Sequence, residues 1–114
     1  MEAMELQIEE LTGGVTIAAL LGRLDTTGAI AIELPFNTLA SERPTLLVDL
    51  SSLSFMSSYG IRVLLRAAKI AKSKNARFAI ICPETAVCKV LQTAGTSDLI
   101  PIYPTIAAAT TELG

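Results

Sequence analysis

Histidine is absent from the 114-residue sequence. Its absence removes the Cys-His and Ser-His-Asp arrangements that activate a nucleophile, and it removes the commonest ligand of transition metals. A glycine loop of the G-x-x-x-x-G-K-[ST] type, which would hold nucleotide phosphates, is missing as well. We therefore expect no catalytic residue and no metal site, we name no cofactor, and we predict that the protein is not an enzyme.

Long apolar runs and an excess of positive charge are also lacking. No apolar stretch approaches the roughly 20 residues that a transmembrane helix needs, and the acidic start, residues 1–5, lacks the apolar segment of a secretory signal. The 9 basic and 11 acidic residues give a net charge of -2, whereas a nucleic-acid-binding domain of this size would carry a dominant basic surface. These features predict a soluble, cytoplasmic protein that binds no nucleic acid and does not insert into a membrane.

Cysteine is scarce, since the chain has only Cys82 and Cys88, both in an apolar segment. A redox-active pair more often has the closer Cys-x-x-Cys spacing. In a reducing compartment, buried cysteines of this kind stay as thiols. We therefore expect two free, buried thiols.

The hydrophobic pattern predicts a β-hairpin followed by alternating strands and helices. Residues 4–10 alternate between apolar and polar side chains, the Gly13-Gly14 pair can form a turn, and residues 15–21 form an apolar return strand. Further short apolar runs, at residues 45–50, 77–82 and 99–102, are separated by helical segments. Alternating units of this kind join parallel strands, so we predict one α/β domain with a mixed sheet flanked by helices.

Two helices before the last strands differ in the strength of their signals. Thr26 or Thr27 can cap a helix that runs toward Leu39, but Pro35 predicts that this helix is kinked, short or restarted. The helix after Gly60 is much clearer, because its apolar residues recur at helical spacing. Its expected inward stripe is Ile61, Leu64, Leu65 and Ala68, and its expected outward stripe is Arg62, Arg66 and Lys69.

The segment 46–65 carries the strongest functional signal from the residues alone. A buried strand ends in a serine-rich loop, and this loop leads directly into a helix N-terminus. The free backbone N–H groups and the dipole of such a helix end favour anions. The simplest interpretation is that Ser57 or Ser58 caps the helix.

The same segment resembles a known family. The runs LLVDLS at 46–51 and FMSSYGI at 55–61 are similar to the signature "LDLS…FIDSSGL…LL" of the STAS domains of bacterial anti-sigma factor antagonists. The run GRLD at 22–25 matches the end of the family's second strand. Residues 90–95 and 99–103 are similar to its "VLELTGL…LFPIY" tail. The resemblance covers nearly the whole chain in order, which implies a single STAS domain over residues 1–114.

The resemblance implies partner switching by phosphorylation. In the family, a serine kinase of the histidine-kinase-like fold doubles as an anti-sigma factor, and it phosphorylates a loop serine of the antagonist to end their binding. The family's acceptor corresponds to Ser58, with Ser57 as runner-up. Ser57 stands here in place of the family's aspartate, and Tyr59, expected as a partly buried loop side chain, in place of its second serine. The implied partner-binding residues are Asp25, Ser57, Ser58, Tyr59, Gly60, Arg62 and Arg66.

Other interpretations stay open at this point. Asp25 suits a cap or turn, and the arginine stripe also fits an ordinary solvated helix face. A STAS subunit that accompanies a lipid-transport ATPase is the second functional hypothesis, and an enzyme on a related α/β scaffold is the third. The apolar first hairpin is where a homodimer would be sought.

Overall fold

The structure, a computed structural model, describes residues 4–83, 85–93, 95–96 and 99–113. Within these residues the chain forms six strands and four helices in a mixed α/β arrangement, which confirms the predicted fold class. The strands are β1 (Glu5–Leu11), β2 (Val15–Leu24), β3 (Thr45–Asp49), β4 (Leu53–Met56), β5 (Arg77–Ile81) and β6 (Ile102–Tyr103). The helices are α1 (Thr26–Glu42), α2 (Ser58–Ser73), α3 (Ala86–Thr93) and α4 (Ile106–Leu113).

The sheet has the order β1-β2-β3-β5-β6, and β4 pairs separately with the end of β2. The predicted hairpin is confirmed, because β1 runs antiparallel to β2 with Leu11 opposite Val15. Gly13 and Gly14 make its turn with φ angles of 84° and 78°, which a side chain would disfavour. All other pairings are parallel.

Strand β4 was expected to be loop. It has four residues, of which only Leu53 and Met56 are buried, so it lacks the regular alternation that marks a strand in sequence. It forms because β2 continues to Leu24, beyond the predicted end at residue 21, and offers its edge to β4. This pairing brings the serine-rich loop beside the end of β2.

The two faces of the sheet are covered differently. On one face, α1, α2 and α3 enclose the larger core, where the rings of Phe36 and Phe78 meet edge to face with centroids 6.3 Å apart. On the other face, Ala109 of α4 packs on a smaller cluster formed by Val15, Ile17, Leu47, Ala79 and Ile81. Leu24 and Met56, at the ends of β2 and β4, belong to the larger core.

Helix α1 differs from its prediction. Its N-cap is Asp25, not Thr26 or Thr27, and the helix continues through Pro35 to Glu42 without a restart. Pro35 and the residue one turn earlier, Ala31, are both exposed, so the carbonyl that proline leaves without a donor lies on the solvent side of the helix.

Helix α2 is also rotated relative to its prediction. Its fully buried residues are Gly60, Val63, Leu64, Ala67 and Ala71, whereas the expected Ile61, Leu65 and Ala68 are only partly buried. The apolar residues of α2 cover a wide part of its surface, so the sequence alone does not fix which of them face the core. The observed rotation turns the small residues inward, where α2 packs against α1 and the sheet. The three basic residues expected outward are exposed.

The expectation of two free thiols is wrong in this structure. Cys82, just after β5, and Cys88, in α3, form a disulfide with their Cα atoms 5.8 Å apart. That separation lies within the usual range for disulfides. The sequence spacing did not indicate the bond, because the distance between the end of β5 and α3 is set by tertiary packing and not by the number of residues between them.

None of the helices in the described part of the chain is long and apolar enough to cross a membrane. The last strand is displaced from the predicted residues 99–102 to Ile102–Tyr103.

Replacing Gly60 tests the contact between α2 and the end of β2. A Cβ atom at Gly60 would lie 2.8 Å from Leu24 Cγ and 3.0 Å from the Leu24 carbonyl oxygen. We expect Gly60→Ala to lower the free energy of unfolding by about 1–3 kcal/mol, measured by chemical denaturation, because the buried Leu24 cannot move freely. In an unhindered helix the same change stabilises by about 1 kcal/mol, so an unchanged or increased stability would contradict the close approach.

Candidate functional site at the end of strand β2

The start of α2 is fastened to the end of β2 by Ser57. The Ser57 N–H and the Ser57 hydroxyl both donate to the Leu24 carbonyl oxygen, each at 2.9 Å. The same hydroxyl oxygen accepts from the Gly60 N–H at 3.0 Å, which makes Ser57 the N-cap of α2. Ser57 thus has both a capping role and a tertiary role.

Asp25 starts α1 in a similar way, one residue after Leu24. Its Oδ1 atom accepts from the Gly28 N–H at 2.7 Å, and its Oδ2 atom lies 3.9 Å from Arg23 Nε. The cap interpretation of Asp25 is therefore confirmed. Since 42% of its side chain stays exposed, the residue is also available at the surface. Two helix N-termini consequently lie next to each other at the end of β2.

Ser58 is the first residue of α2 and is exposed. Among the described residues, its hydroxyl group has no hydrogen-bond partner. No acidic residue occupies the first turn of α2, so the positive end of the helix dipole at Ser58 is not neutralised from within the helix.

Tyr59 belongs to α2 and not to a loop, although its side chain is partly buried as expected. Its hydroxyl donates to Glu33 Oε1 on α1 at 3.0 Å, and Arg66 Nη1 lies 3.7 Å from Glu33 Oε2. The hydrogen bond to the Glu33 carboxylate is the main reason why the pKa of Tyr59 is raised above 10.0, with partial burial and the charge of Glu33 adding to it. The phenol is therefore neutral at physiological pH and links α2 to α1.

A contact between an arginine of β2 and a phenylalanine of β4 was not predicted from the sequence. The Arg23 guanidinium stacks over the exposed Phe55 ring at 4.3 Å from its centroid. The two residues are paired in the β2–β4 register, close to Asp25 and Ser57. Arginine and aromatic residues, including phenylalanine, are enriched at protein-binding surfaces.

Two large apolar side chains on α1 are also exposed near this region. Ile30 is 57% exposed and Leu34 is 76% exposed, and they flank Glu33 along the helix. Glu33 itself lines a cleft of about 150 Å³ together with Tyr59, Arg62, Val63 and Arg66. Adjacent exposed apolar residues with a charged border are characteristic of interaction surfaces.

The sequence-predicted site residues fall into two connected groups. Ser57 and Gly60 contact Leu24, and their neighbours Ser58 and Asp25 lie at the starts of α2 and α1. Tyr59, Arg62 and Arg66 lie along the side of α2 that faces α1. Sequence reasoning missed Leu24, whose role depends on its backbone oxygen. It also missed Glu33, because no local pattern pairs a residue of α1 with Tyr59 of α2.

Comparisons with known proteins bear on the family and the fold of the chain. The model of the family described as STAS domain matches residues 7–109. An anti-sigma F factor antagonist from Paenibacillus polymyxa is 31% identical over 113 residues, which span 96% of this chain and 97% of the relative.

Two solved structures have the same fold. An anti-sigma factor antagonist from Mycobacterium paratuberculosis is 23% identical with a TM-score of 0.87, over 96% of this chain and 93% of that one. The Bacillus cell fate determinant SpoIIAA in its phosphorylated form is 22% identical with a TM-score of 0.72, over 96% of this chain and 100% of that one. On the family match and the Paenibacillus relative, the chain belongs to the STAS domain family.

Proposed function

We propose that this STAS domain is an anti-sigma factor antagonist that binds its anti-sigma factor through the surface around the N-terminus of α2 and releases it when Ser58 is phosphorylated. The observation that carries the proposal is the contrast between two neighbouring serines. Ser57 is committed to the Leu24 carbonyl and the Gly60 N–H, whereas the Ser58 hydroxyl is exposed. A phosphate on Ser58 therefore meets solvent and disturbs no hydrogen bond among the described residues.

The helix end tolerates a phosphate in the free protein. Phosphorylation adds about -1.5 to -2 charges and three acceptor oxygens at a position where the dipole and the backbone N–H groups favour an anion. A partner packed over Ser58 would instead have to remove water from that charge. This costs several kcal/mol when no opposite charge compensates it. A phosphate on Ser58 is therefore tolerated in the free protein and destabilises the complex.

The proposed interface extends from Asp25 and Ser57–Ser58 along the exposed residues of α2. Gly60 lets α2 approach Leu24 closely, which sets the position of Ser57 and Ser58 at the surface. Arg62 and Arg66 supply positive charge. Ile30 and Leu34 on α1 add apolar area that a partner would cover. A complementary partner surface has an apolar centre and an acidic border.

The proposed role requires binding by this chain and no catalysis. The phosphoryl group is transferred by the partner, a serine kinase of the histidine-kinase-like fold, so Ser58 needs no base of its own. We place the protein in the cytoplasm, where such a partner would meet it.

Self-association through the first hairpin has little support from β1. The strand lies at the sheet edge and exposes the carboxylates of Glu5 and Glu9, whose like charges discourage pairing with a second copy.

The alternative function, an accessory subunit of a lipid-transport ATPase, has no comparable support. The relative at 31% identity is an anti-sigma F factor antagonist. The identity of the bound partner separates the two functions, so the test below includes it.

Mass spectrometry of the protein from its own cells, combined with affinity capture, tests the acceptor and the partner together. We expect phosphate on Ser58 and capture of a histidine-kinase-like anti-sigma factor by the unphosphorylated form only. Ser58→Ala should abolish the modification without a measurable change in the free energy of unfolding, because its hydroxyl has no partner among the described residues. Capture of a transport ATPase by an unmodified chain would contradict the proposal.

Ser57→Ala is the matched control for this experiment. It removes a helix cap and the bond to Leu24, so we expect it to lower the free energy of unfolding by about 0.5–2 kcal/mol. Phosphorylation of Ser58 by the purified kinase should persist in this variant. If the modification is lost in Ser57→Ala and kept in Ser58→Ala, the assignment of the acceptor is wrong.

The exposed apolar residues of α1 give an independent test of the interface. We expect Leu34→Glu to weaken binding of the anti-sigma factor at least about tenfold in isothermal titration calorimetry, since a charge would be buried at the centre of the contact. Leu99→Glu is the control, because Leu99 is 71% exposed and lies on the other flank of α2 near Lys69 and Lys72. Equal effects of the two substitutions would exclude the proposed surface.

A further inference from the structure

The disulfide between Cys82 and Cys88 lies beside the proposed site. Cys82 follows β5 directly, and Cys88 lies in the first turn of α3. The bond connects the sheet to a helix that packs on β4. Met56, the last residue of β4, immediately precedes Ser57. Strand β4 therefore lies between the helix that carries Cys88 and the proposed site.

We propose that Cys82 and Cys88 are a reversible dithiol–disulfide site that sets the position of α3 and, through β4, the arrangement of Ser57 and Ser58. The bond closes a loop of only six residues' separation, and such a short loop restrains the unfolded chain far less than a long one. The bond is therefore better suited to controlling local structure than to stabilising the whole fold.

The two cysteines are held with unequal firmness. Cys82 is tied to the sheet, because its N–H donates to the Tyr103 carbonyl at 2.8 Å and the preceding Ile81 carbonyl accepts from Leu50 at 2.9 Å. Cys88 belongs to an eight-residue helix, a length that has little stability of its own. When the bond breaks, α3 is the part that moves.

Close packing makes this movement unavoidable. Bonded sulfur atoms are about 2 Å apart, whereas non-bonded atoms need roughly 3.5–4 Å. Cys82 is 7% exposed and Cys88 4%, so both sulfurs are surrounded by the larger core. Val87 and Leu91 of α3 belong to the same cluster as Leu53 and Met56 of β4, so a shift of α3 is transmitted to β4.

The surroundings of Cys88 favour it as the leaving group in thiol exchange. The Thr85 hydroxyl lies 3.3 Å from Cys88 Sγ as a donor, and Cys88 is in the first turn of α3, where the helix dipole favours negative charge. During a local opening of α3 that exposes the bond, a thiolate of a dithiol reductant attacks Cys82 Sγ, and the electron pair of the broken S–S bond goes to Cys88 Sγ. The second reductant thiolate then displaces Cys82, two protons pass from the reductant to the cysteines, and the reductant becomes a disulfide.

Nuclear magnetic resonance of the whole protein tests the proposal without any partner. The oxidised protein is treated with dithiothreitol in native buffer, and alkylation followed by intact-mass measurement counts the thiols. We expect two alkylated cysteines, retained fold by circular dichroism, and amide shift changes at Ser57, Ser58 and Gly60. These changes should exceed those in α4, which packs on the other face of the sheet.

Three results would overturn the inference. The bond fails to form with oxidised glutathione, it resists reduction until the protein is unfolded, or the shift changes stay within residues 82–93. The Cys82→Ser/Cys88→Ser double variant controls for direct effects of the reductant and should show no change with it. If this variant does not fold, the comparison of the oxidised with the reduced wild-type protein still tests the inference.

An effect of the bond on partner affinity rests additionally on the function proposed above. It is measured by titrating the anti-sigma factor with the oxidised and the reduced protein. We expect affinities that differ at least about threefold, and equal affinities would limit the redox site to the free protein and contradict its control of the binding surface. The NMR result does not depend on Ser58 being phosphorylated, so failure of either proposal is recognised separately.

Discussion

The double hydrogen bond from Ser57 to the Leu24 carbonyl oxygen is the interaction on which the site depends. It joins residues from β2 and the β4–α2 junction that are far apart in sequence, and it fixes where α2 begins. Gly60 permits this contact because a side chain there would collide with Leu24. Asp25, the next residue, begins α1, so one point of the backbone positions both helices that form the proposed binding surface.

In the proposed function, two adjacent residues divide structural support from signalling. Ser57 caps the helix and is only partly exposed, whereas Ser58, at the same helix end, is exposed to solvent. A charge added to Ser58 would leave the hydrogen bonds of Ser57 in place, as the proposed switch requires. The link from Tyr59 and Arg66 to Glu33 has a related effect, because it keeps α1 and α2 in register beneath the surface that a partner would cover.

The sequence predicted features that depend on neighbouring residues and missed those that depend on distant ones. The first hairpin and the start of α2 are encoded locally, by an alternating pattern with two glycines and by a serine pair before an apolar stripe. The choice of Ser57 over Ser58 as the cap depends on the Leu24 carbonyl, 33 positions earlier in the chain. The rotation of α2 and the pairing of Cys82 with Cys88 were missed for the same reason, since each is decided by packing between elements that no local pattern connects.

The most direct test of this account is the protein carrying phosphoserine at position 58, studied in parallel for stability and for binding. Chemical denaturation gives its free energy of unfolding, and calorimetric titration gives its affinity for the anti-sigma factor. We predict an unfolding free energy that is unchanged or raised by up to about 1 kcal/mol, because the helix end favours the phosphate, and a loss of affinity of at least about a hundredfold. An unchanged affinity, or a loss of affinity that is matched by unfolding of the domain, would contradict the separation of support and signal between Ser57 and Ser58.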